Sequence, residues 1–293
     1  MKKILILMSA LLIVSGGCGK KAQEKAGFSV VASFYPVYIL TKNIAKDMPG
    51  VSVNTMAPPV SGCLHDYTMT ADDMKRLERA DLFLINGAGM ESFMDKVAQR
   101  FPSLKTAELS KWIELIRDDS GEANPHVWVS VENMIRMTHA CADILCANDR
   151  AHEADYRRNE KNYAAELTSL KAEMDAAMKD FRGKKIVTFH EAFPYFAKEY
   201  GLVTAAVVER EPGSQPSARE LAETIQLVRS SGVKALFAEP QYPSSAADAV
   251  ARETGAKVYV LDPAVTGDDN AGAYIAIMRK NLSVLKEAFS GRQ

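Results

Sequence analysis

The sequence predicts an α/β fold of two parallel-sheet lobes joined by one long backbone helix. Each half of the chain carries strand-like apolar runs, and helical periodicity follows most of them. Strands that alternate with helices are typical of parallel sheets, and the alternation occurs twice. The runs are FSVVAS, VSVNTM, DLFLIN and LKTAEL in the first half, and KIVTFH, LVTAAVV, KALFAE and KVYVLD in the second.

A long amphipathic helix is predicted between the two halves. Residues 149–182 contain neither Gly nor Pro, and their apolar side chains recur at helical spacings of three, four and seven. At 1.5 Å per residue, such a helix reaches about 50 Å, which is enough to run along both lobes. We therefore predict an N-terminal lobe over 28–148, a connecting helix over 149–182 and a C-terminal lobe over 183–293. A rigid connection of this kind should resist wide hinge opening.

The N-terminus has the pattern of an export signal. Lys2 and Lys3 precede an apolar stretch of eleven residues, which small residues and Cys18 follow. Eleven residues fall short of the roughly 20 that a membrane-spanning helix needs, so the pattern indicates a secretory signal. The small pair before Cys18 resembles a lipoprotein signal, with residues 1–17 removed, Cys18 lipidated and 18–27 acting as a polar tether. Plain secretion with cleavage nearby is the alternative.

Charge and cysteine content narrow the function further. The chain has 36 basic and 37 acidic residues and no basic block, and loss of the two signal lysines moves its formal charge from -1 to -3. This balance argues against a nucleic-acid partner. Cys141 and Cys146 lie in a helix-like stretch, about 8.6 Å apart by helix geometry, which exceeds the roughly 7 Å limit for a disulfide. We expect both to be buried free thiols; the role of Cys63 stays open.

Three runs of the second half end on side chains that can bind a metal, namely His190, Glu239 and Asp262. Residues at the carboxyl ends of parallel strands converge in space. The first half adds His65 and His126, each in a loop that Pro or Gly residues restrict. Three imidazoles and one carboxylate suit tetrahedral Zn²⁺, whereas Mn²⁺ prefers more oxygen. The sequence thus predicts a metal site in the cleft between the lobes.

Each of these residues also has a purely structural interpretation. His65 could bond loop backbone, His126 could cap the helix that follows, and His190 could be a satisfied core histidine. Asp262 and Glu239 each precede a proline and could cap turns. The combination of all five, and not any single residue, favours metal binding.

In its ordered motifs the chain resembles the substrate-binding lipoproteins of zinc and manganese ABC importers. The motifs are SVVASFYPVYILTKNIA, the His65 segment, ADLFLINGAGMESF, NPHVWVS, TFHEAFPYFAKEYGL, EREPGSQPSARELAETI, ALFAEPQYPSS and AKVYVLDPA. The resemblance implies a metal held between the lobes by His65, His126, His190 and Asp262. It also implies that Glu239 occupies an acidic position beside the site, where it would support or replace a ligand.

Two departures from that family concern selectivity. Many relatives read Asp-Pro-His where this chain has Cys63, Leu64 and His65, so a thiol lies two residues from an expected ligand. Zinc receptors often carry a histidine-rich loop before the second ligand, but residues 118–124 are short and lack histidine. Manganese receptors usually carry glutamate at the third ligand, so His190 favours zinc, with manganese as the alternative.

The resemblance implies an exported receptor, lipid-anchored to the outer face of the cytoplasmic membrane or periplasmic. It would carry Zn²⁺ as cargo (Mn²⁺ possible), act as a monomer without chemistry of its own, and deliver the metal to an ABC permease and its ATPase. A zinc-dependent hydrolase is the rival of another class, but Pro194 stands where HExxH needs its second histidine. A dinucleotide enzyme is weaker still, since Ser92 replaces the third glycine of the fingerprint. An adhesin role stays open.

Overall fold

The computed structural model describes residues 27–59, 62–64, 67–118, 120–208 and 216–290. The predicted signal, Cys18, nearly all of the tether and His65 lie outside this part of the chain. Within it, no helix has the length and apolar character that crossing a membrane requires.

The first sheet is parallel and has the strand order β2-β1-β3-β4. β3 is buried along its whole length, as expected for a strand covered on both faces. The elements of this half are β1 (Phe28–Ala32), α1 (Tyr35–Ile44), β2 (Val51–Thr55), α2 (Ala71–Arg79), β3 (Leu82–Ile85), α3 (Met94–Arg100) and β4 (Lys105–Glu108).

The second sheet repeats this order as β6-β5-β7-β8, again with parallel pairing. Its elements are β5 (Lys185–Thr188), α6 (Pro194–Tyr200), β6 (Val203–Val207), α7 (Ala218–Ser231), β7 (Ala235–Ala238), α8 (Ser245–Thr254) and β8 (Lys257–Val260). The direction in which successive strands are added to the sheet reverses between β1 and β3 in the first sheet, and between β5 and β7 in the second. Ligands of open parallel sheets bind at such a reversal, outside the carboxyl ends of the strands. The predicted fold class is confirmed.

The connection between the sheets is helical but is not one uninterrupted α-helix. α4 (Val131–Asn148) leads into a 3₁₀ turn, then α5 (Glu153–Met178), then a second 3₁₀ turn over Lys179–Phe181. The 26 residues of α5 span about 39 Å, shorter than the predicted helix over 149–182. The apolar spacing predicts a buried face that includes Phe181, which lies in the second 3₁₀ turn and is only partly buried. Met178 is buried on α5, and so is the rest of that face: Tyr156, Tyr163, Leu167, Leu170 and Met174. The lobe boundaries stay a prediction.

After β8 the chain returns to the first half through residues 261–272, here called the return segment, and ends in α9 (Ala273–Ser290). The indole N–H of Trp128 donates to the carbonyl of Pro263 at 2.7 Å. The Tyr274 hydroxyl donates to the carbonyl of Trp128 at 2.8 Å. α9 also packs against α5 and α1. The two halves are therefore tied together at a second place besides α5.

The main hydrophobic core also joins the two halves of the chain. One continuous cluster contains buried side chains from both sheets, α4, α5, the return segment and α9. A smaller cluster, which includes Val187, Leu236 and Val250, lies within the second lobe. Cys141 and Cys146 are both buried on α4 as free thiols, as predicted.

Candidate metal centre

His126 is fixed by its neighbour Asn124. The Asn124 Oδ1 atom accepts the backbone N–H of His126 at 3.0 Å and lies 3.1 Å from His126 Nδ1. An amide oxygen only accepts hydrogen bonds, so Nδ1 carries the ring hydrogen and Nε2 presents its lone pair. Asn124 is itself held from the second lobe, because its amide donates to the Glu191 carbonyl and the Tyr195 hydroxyl donates to its carbonyl, both at 2.8 Å.

The helix-cap interpretation of His126 does not hold. α4 is capped by Ser130, whose hydroxyl accepts the N–H of Asn133 at 3.1 Å. The His126 side chain makes no capping bond to the 3₁₀ turn Val127–Val129 that it precedes. The buried ring of His126 faces the cleft between the lobes.

His190 meets His126 across that cleft. It lies two residues beyond the end of β5 and is buried. The Nε2 atoms of His190 and His126 are 3.0 Å apart, and the two rings meet edge to face. Two nitrogens at this distance need a proton or a cation between them. Neighbouring nitrogens of a tetrahedral zinc site are about 3.3 Å apart, given Zn–N bonds near 2.0 to 2.1 Å.

The thiol of Cys63 approaches the same point from the first lobe. Its Sγ atom lies 3.7 Å from His126 Nε2. The ligand atoms of Cys63, His126 and His190 all lie within 4.8 Å of one another, the one such group of His, Cys, Asp or Glu in the described residues. Burial raises the pKa of the Cys63 thiol well above its usual value, and the Glu239 carboxylate raises it further. The thiol is therefore protonated at neutral pH unless a cation displaces its proton.

The two predicted carboxylates are not part of this group. Glu239 directly follows β7, is buried, and accepts a hydrogen bond from the Gln241 amide. Asp262 lies two residues beyond β8, and its Oδ1 atom accepts the N–H of Ala264 at 2.8 Å. Burial raises the pKa of the Asp262 carboxyl. Asp262 thus caps a turn with one oxygen, and its role as a ligand stays a prediction. The same holds for His65, which lies outside the described residues.

Segments of the two lobes meet beside the three ligand atoms. A Cβ atom on Gly62 would lie 3.5 Å from the Tyr242 hydroxyl, so the two loops are in contact there. The ring of Tyr242 also meets the ring of His190, with centroids 6.1 Å apart. Gly62 has a φ of +74°, a conformation that favours glycine. The centre is consequently enclosed between the lobes.

A cavity of about 870 Å³ borders His126 on its outer side. Carboxylates dominate its charged wall, and Arg117 is the basic side chain among them. The acidic residues are Glu108, Asp118, Glu122 and Glu191. The net negative charge of this wall attracts cations to the cavity beside His126.

Sequence reasoning identified both histidines of the centre but neither of the groups that complete their surroundings. The sequence leaves the role of Cys63 open, and no motif in it singles out Asn124. A signal for Asn124 was present, because a residue two positions before a loop histidine can reach both its backbone and its ring. The structure brings together His126 and His190 as the strand-end and loop positions predicted.

The chain is similar in sequence and in fold to proteins named for zinc uptake and metal binding. A family model described as zinc-uptake complex component A, periplasmic, matches residues 30–288. The zinc-binding lipoprotein AdcA of Streptococcus pneumoniae R6 is 28% identical over 98% of this chain, which spans only 61% of that relative. The high-affinity zinc uptake system protein ZnuA of Bacillus subtilis is 29% identical, over 97% of this chain and 96% of the relative.

Among solved structures, the chain is similar to the substrate-binding protein FpvC of Pseudomonas aeruginosa in complex with Ni²⁺. The TM-score is 0.82 at 29% identity, covering 91% of this chain and 99% of FpvC. This similarity extends over both lobes and the helical connection.

Proposed function

Because the chain belongs to the family of component A of zinc-uptake complexes, we propose that it is the metal receptor of an ABC importer, with Zn²⁺ as its cargo. The observation that carries this proposal is the buried convergence of His126 Nε2 and His190 Nε2, 3.0 Å apart between the lobes. The AdcA and ZnuA relatives are named for zinc binding and zinc uptake, which supports the same cargo.

The proposed ligands are His65, His126, His190 and Asp262, with Glu239 supporting or replacing one of them. Nitrogen donors suit zinc better than Mn²⁺, which prefers oxygen. The Asn124 oxygen favours the metal-binding tautomer of His126, because it holds the hydrogen on Nδ1. Mn²⁺ is the second candidate cargo.

In this mechanism the receptor captures the ion outside the cytoplasmic membrane, encloses it between the lobes, and releases it to a permease that an ATPase drives. The acidic wall beside His126 favours capture of a cation. The protein performs no chemistry of its own. A hydrolase would need an open coordination position for water and substrate, whereas the loops of Gly62 and Tyr242 meet beside this centre.

The N-terminal part of the proposal is that Cys18 carries a lipid that anchors the receptor at the outer face of the membrane. Expression of the chain with Cys18→Ala should release it from the membrane fraction into the soluble extracytoplasmic fraction. Retention of the variant in the membrane to the same extent would refute lipid anchoring and leave metal binding unaffected.

A chelator-competition titration of the purified, metal-stripped protein with Zn²⁺ and Mn²⁺ tests the cargo. We expect one tight zinc site, much weaker manganese binding, and loss of the zinc site in His190→Ala. His139→Ala is the matched control, because His139 lies on the outer side of α4 and pairs with Glu160 at 2.7 Å. Equal or tighter manganese binding would reverse the cargo, and binding of neither ion would refute the receptor.

A further inference from the structure

We propose that Cys63 is a direct ligand of the cargo metal, which makes the centre a mixed thiolate and imidazole site. The inference deepens the proposed function and rests on it, since it concerns how the same ion is held. The three ligands would be Cys63 Sγ, His126 Nε2 and His190 Nε2, the atoms that converge within 4.8 Å.

The distance between the Cys63 sulfur and the His126 nitrogen matches one edge of a tetrahedral zinc site. With a Zn–S bond of about 2.3 Å and a Zn–N bond near 2.05 Å, sulfur and nitrogen are separated by about 3.6 Å in a tetrahedron. The distance between Cys63 Sγ and His126 Nε2 is 3.7 Å. Sulfur thus already lies at the distance from His126 Nε2 that a shared zinc ion requires, and His190 Nε2 lies within 4.8 Å of both atoms.

A simple hydrogen bond between thiol and imidazole does not account for this arrangement. Asn124 occupies the Nδ1 side of His126, so the lone pair on Nε2 faces both Cys63 and His190. A hydrogen-bonded pair would need only one partner on that side. Three groups that all can donate an electron pair meet at one buried point, which is the arrangement a cation stabilises.

The other described cysteines show what an ordinary buried thiol looks like in this protein. Cys141 Sγ donates to the hydroxyl of Thr41 at 3.9 Å, and Cys146 Sγ donates to the carbonyl of Glu153 at 3.8 Å. Both thiols thus contact a single oxygen acceptor within helix packing. Cys63 also has a hydroxyl partner, on Tyr242, but it differs from them because its sulfur lies near two histidine rings as well.

The backbone around Cys63 holds the sulfur in place. Leu64 is completely buried, and Gly62 adopts a positive φ while it contacts the Tyr242 loop of the other lobe. A loop anchored on both sides of the cysteine limits the positions that its side chain can adopt. The ligand is therefore largely preorganised, which lowers the entropy cost of binding.

Binding through sulfur has a consequence for selectivity. As the metal–sulfur bond forms, the thiol proton leaves to solvent and the thiolate coordinates the ion. Thiolate is a soft ligand that favours Zn²⁺ and other thiophilic ions over Mn²⁺. A four-coordinate ion has room for only one ligand besides these three, so Cys63 would take the place of one of the four ligands proposed above. Cys63 would then be the residue that most separates zinc from manganese.

The experiment is a Co²⁺ titration of the full chain, followed by absorption spectroscopy, since a cobalt–thiolate bond gives a charge-transfer band in the near ultraviolet. The chain has four cysteines, so a variant with Cys18→Ala, Cys141→Ser and Cys146→Ser keeps Cys63 as its only thiol. We expect this variant to show the band at one equivalent of Co²⁺. Cys63→Ser in the otherwise unchanged chain should lose it, and Cys141→Ser, the matched control, should keep it.

Zinc and manganese affinities measured by chelator competition give the second readout. Loss of a residue that merely supports a ligand costs roughly 10- to 100-fold in metal affinity, and we expect Cys63→Ser to weaken zinc binding by at least that much. Cys63→Asp should narrow the preference for zinc over manganese, because it offers oxygen in place of sulfur. Circular dichroism checks that each variant folds.

The outcomes separate this inference from the proposed function. Cobalt and zinc binding without the charge-transfer band, and with equal zinc affinity in Cys63→Ser, would overturn the role of Cys63 and leave the receptor intact. A wild-type protein that binds neither ion would overturn both. If Cys63→Ser does not fold, the single-thiol variant decides the question, because a missing band there at saturating Co²⁺ overturns the proposal.

Discussion

Glu91→Gln tests whether burial or hydrogen bonding has the larger effect on the pKa of a carboxyl group inside the first lobe. Glu91 is 6% exposed. Its Oε1 atom accepts from the Ser33 hydroxyl at 2.7 Å and from the Asn86 N–H at 2.8 Å, and its Oε2 atom accepts from the Gly87 N–H at 3.0 Å. These donors favour the charged form, but burial disfavours it more strongly. The net result raises the pKa of Glu91 from 4.5 to about 7.

The sign and size of the effect on stability follow from that pKa. Below pH 4.5 the carboxyl is protonated in both the folded and the unfolded state. Between 4.5 and about 7 the unfolded chain ionises while the folded chain keeps its proton, so stability falls as the pH rises. At about 1.4 kcal/mol per pH unit, the full loss is about 3 kcal/mol, most of it between pH 5 and pH 8.

Glutamine does not titrate, so the variant should escape this loss. We expect the free energy of unfolding of Glu91→Gln, relative to wild type, to rise by roughly 2.5 kcal/mol from pH 5 to pH 8. Urea denaturation of both proteins at the two pH values, with a chelator present to remove metals, measures the difference. Titratable groups that both proteins share contribute equally to the two unfolding free energies, so their contributions cancel in the difference. A difference that does not change with pH would refute the argument, because it would mean that the hydrogen bonds offset burial.

Four further predictions concern local contacts and the cargo. Thr70→Ala removes the hydroxyl that accepts the Asp73 N–H in a capping box, and should cost about 1 kcal/mol of unfolding free energy in urea titrations; an unchanged midpoint would refute the cap. Gly87→Ala should destabilise the fold by more than about 1 kcal/mol, since φ is +84° and the new Cβ would lie 2.0 Å from the Glu108 side chain; Gly89→Ala, whose φ of +85° is the same but whose surroundings are open, is the control for the contact and should cost less. Asn124→Ala should weaken zinc binding roughly 10- to 100-fold through loss of its hold on the histidine ring, and equal chelator-competition curves would contradict this. Zinc at a thousandfold excess over its Kd should raise the unfolding free energy by about 4 kcal/mol, and a melting temperature insensitive to zinc would count against a folded-state site.

The central strands β3 and β7 could be predicted because parallel strands covered on both faces have continuous apolar sequences. Partly exposed strands such as β2 could be predicted from their regular alternation with helices. Every predicted run contains a strand of the structure, and His190, Glu239 and Asp262 lie one or two residues beyond strand ends. The connecting helix was predicted too long, because a spacing of three or four residues does not distinguish α-helix from the 3₁₀ turns at its ends.

The parts of the site that could not be predicted depend on contacts between distant segments. Cys63 and His126 are 63 positions apart, and their contact depends on how two loops close between the lobes. Asn124 interacts with Glu191 across the same cleft, 67 positions away. No local sequence pattern encodes such distances. The return segment was missed for the same reason, because its partner Trp128 precedes Pro263 by 135 positions.

The return segment also bears on whether the lobes can exist apart. A polypeptide that ended at residue 182 would lack Pro263 and Tyr274, so the buried indole and carbonyl of Trp128 would lose their partners. A fragment that began at residue 183 would expose the apolar side of α9 that packs against α5 and α1. Neither half should be soluble alone, but the two expressed together should reassemble by fragment complementation. The chain could then be used as a split protein. Metal binding would return only when both fragments associate, because His126 lies in one fragment and His190 in the other.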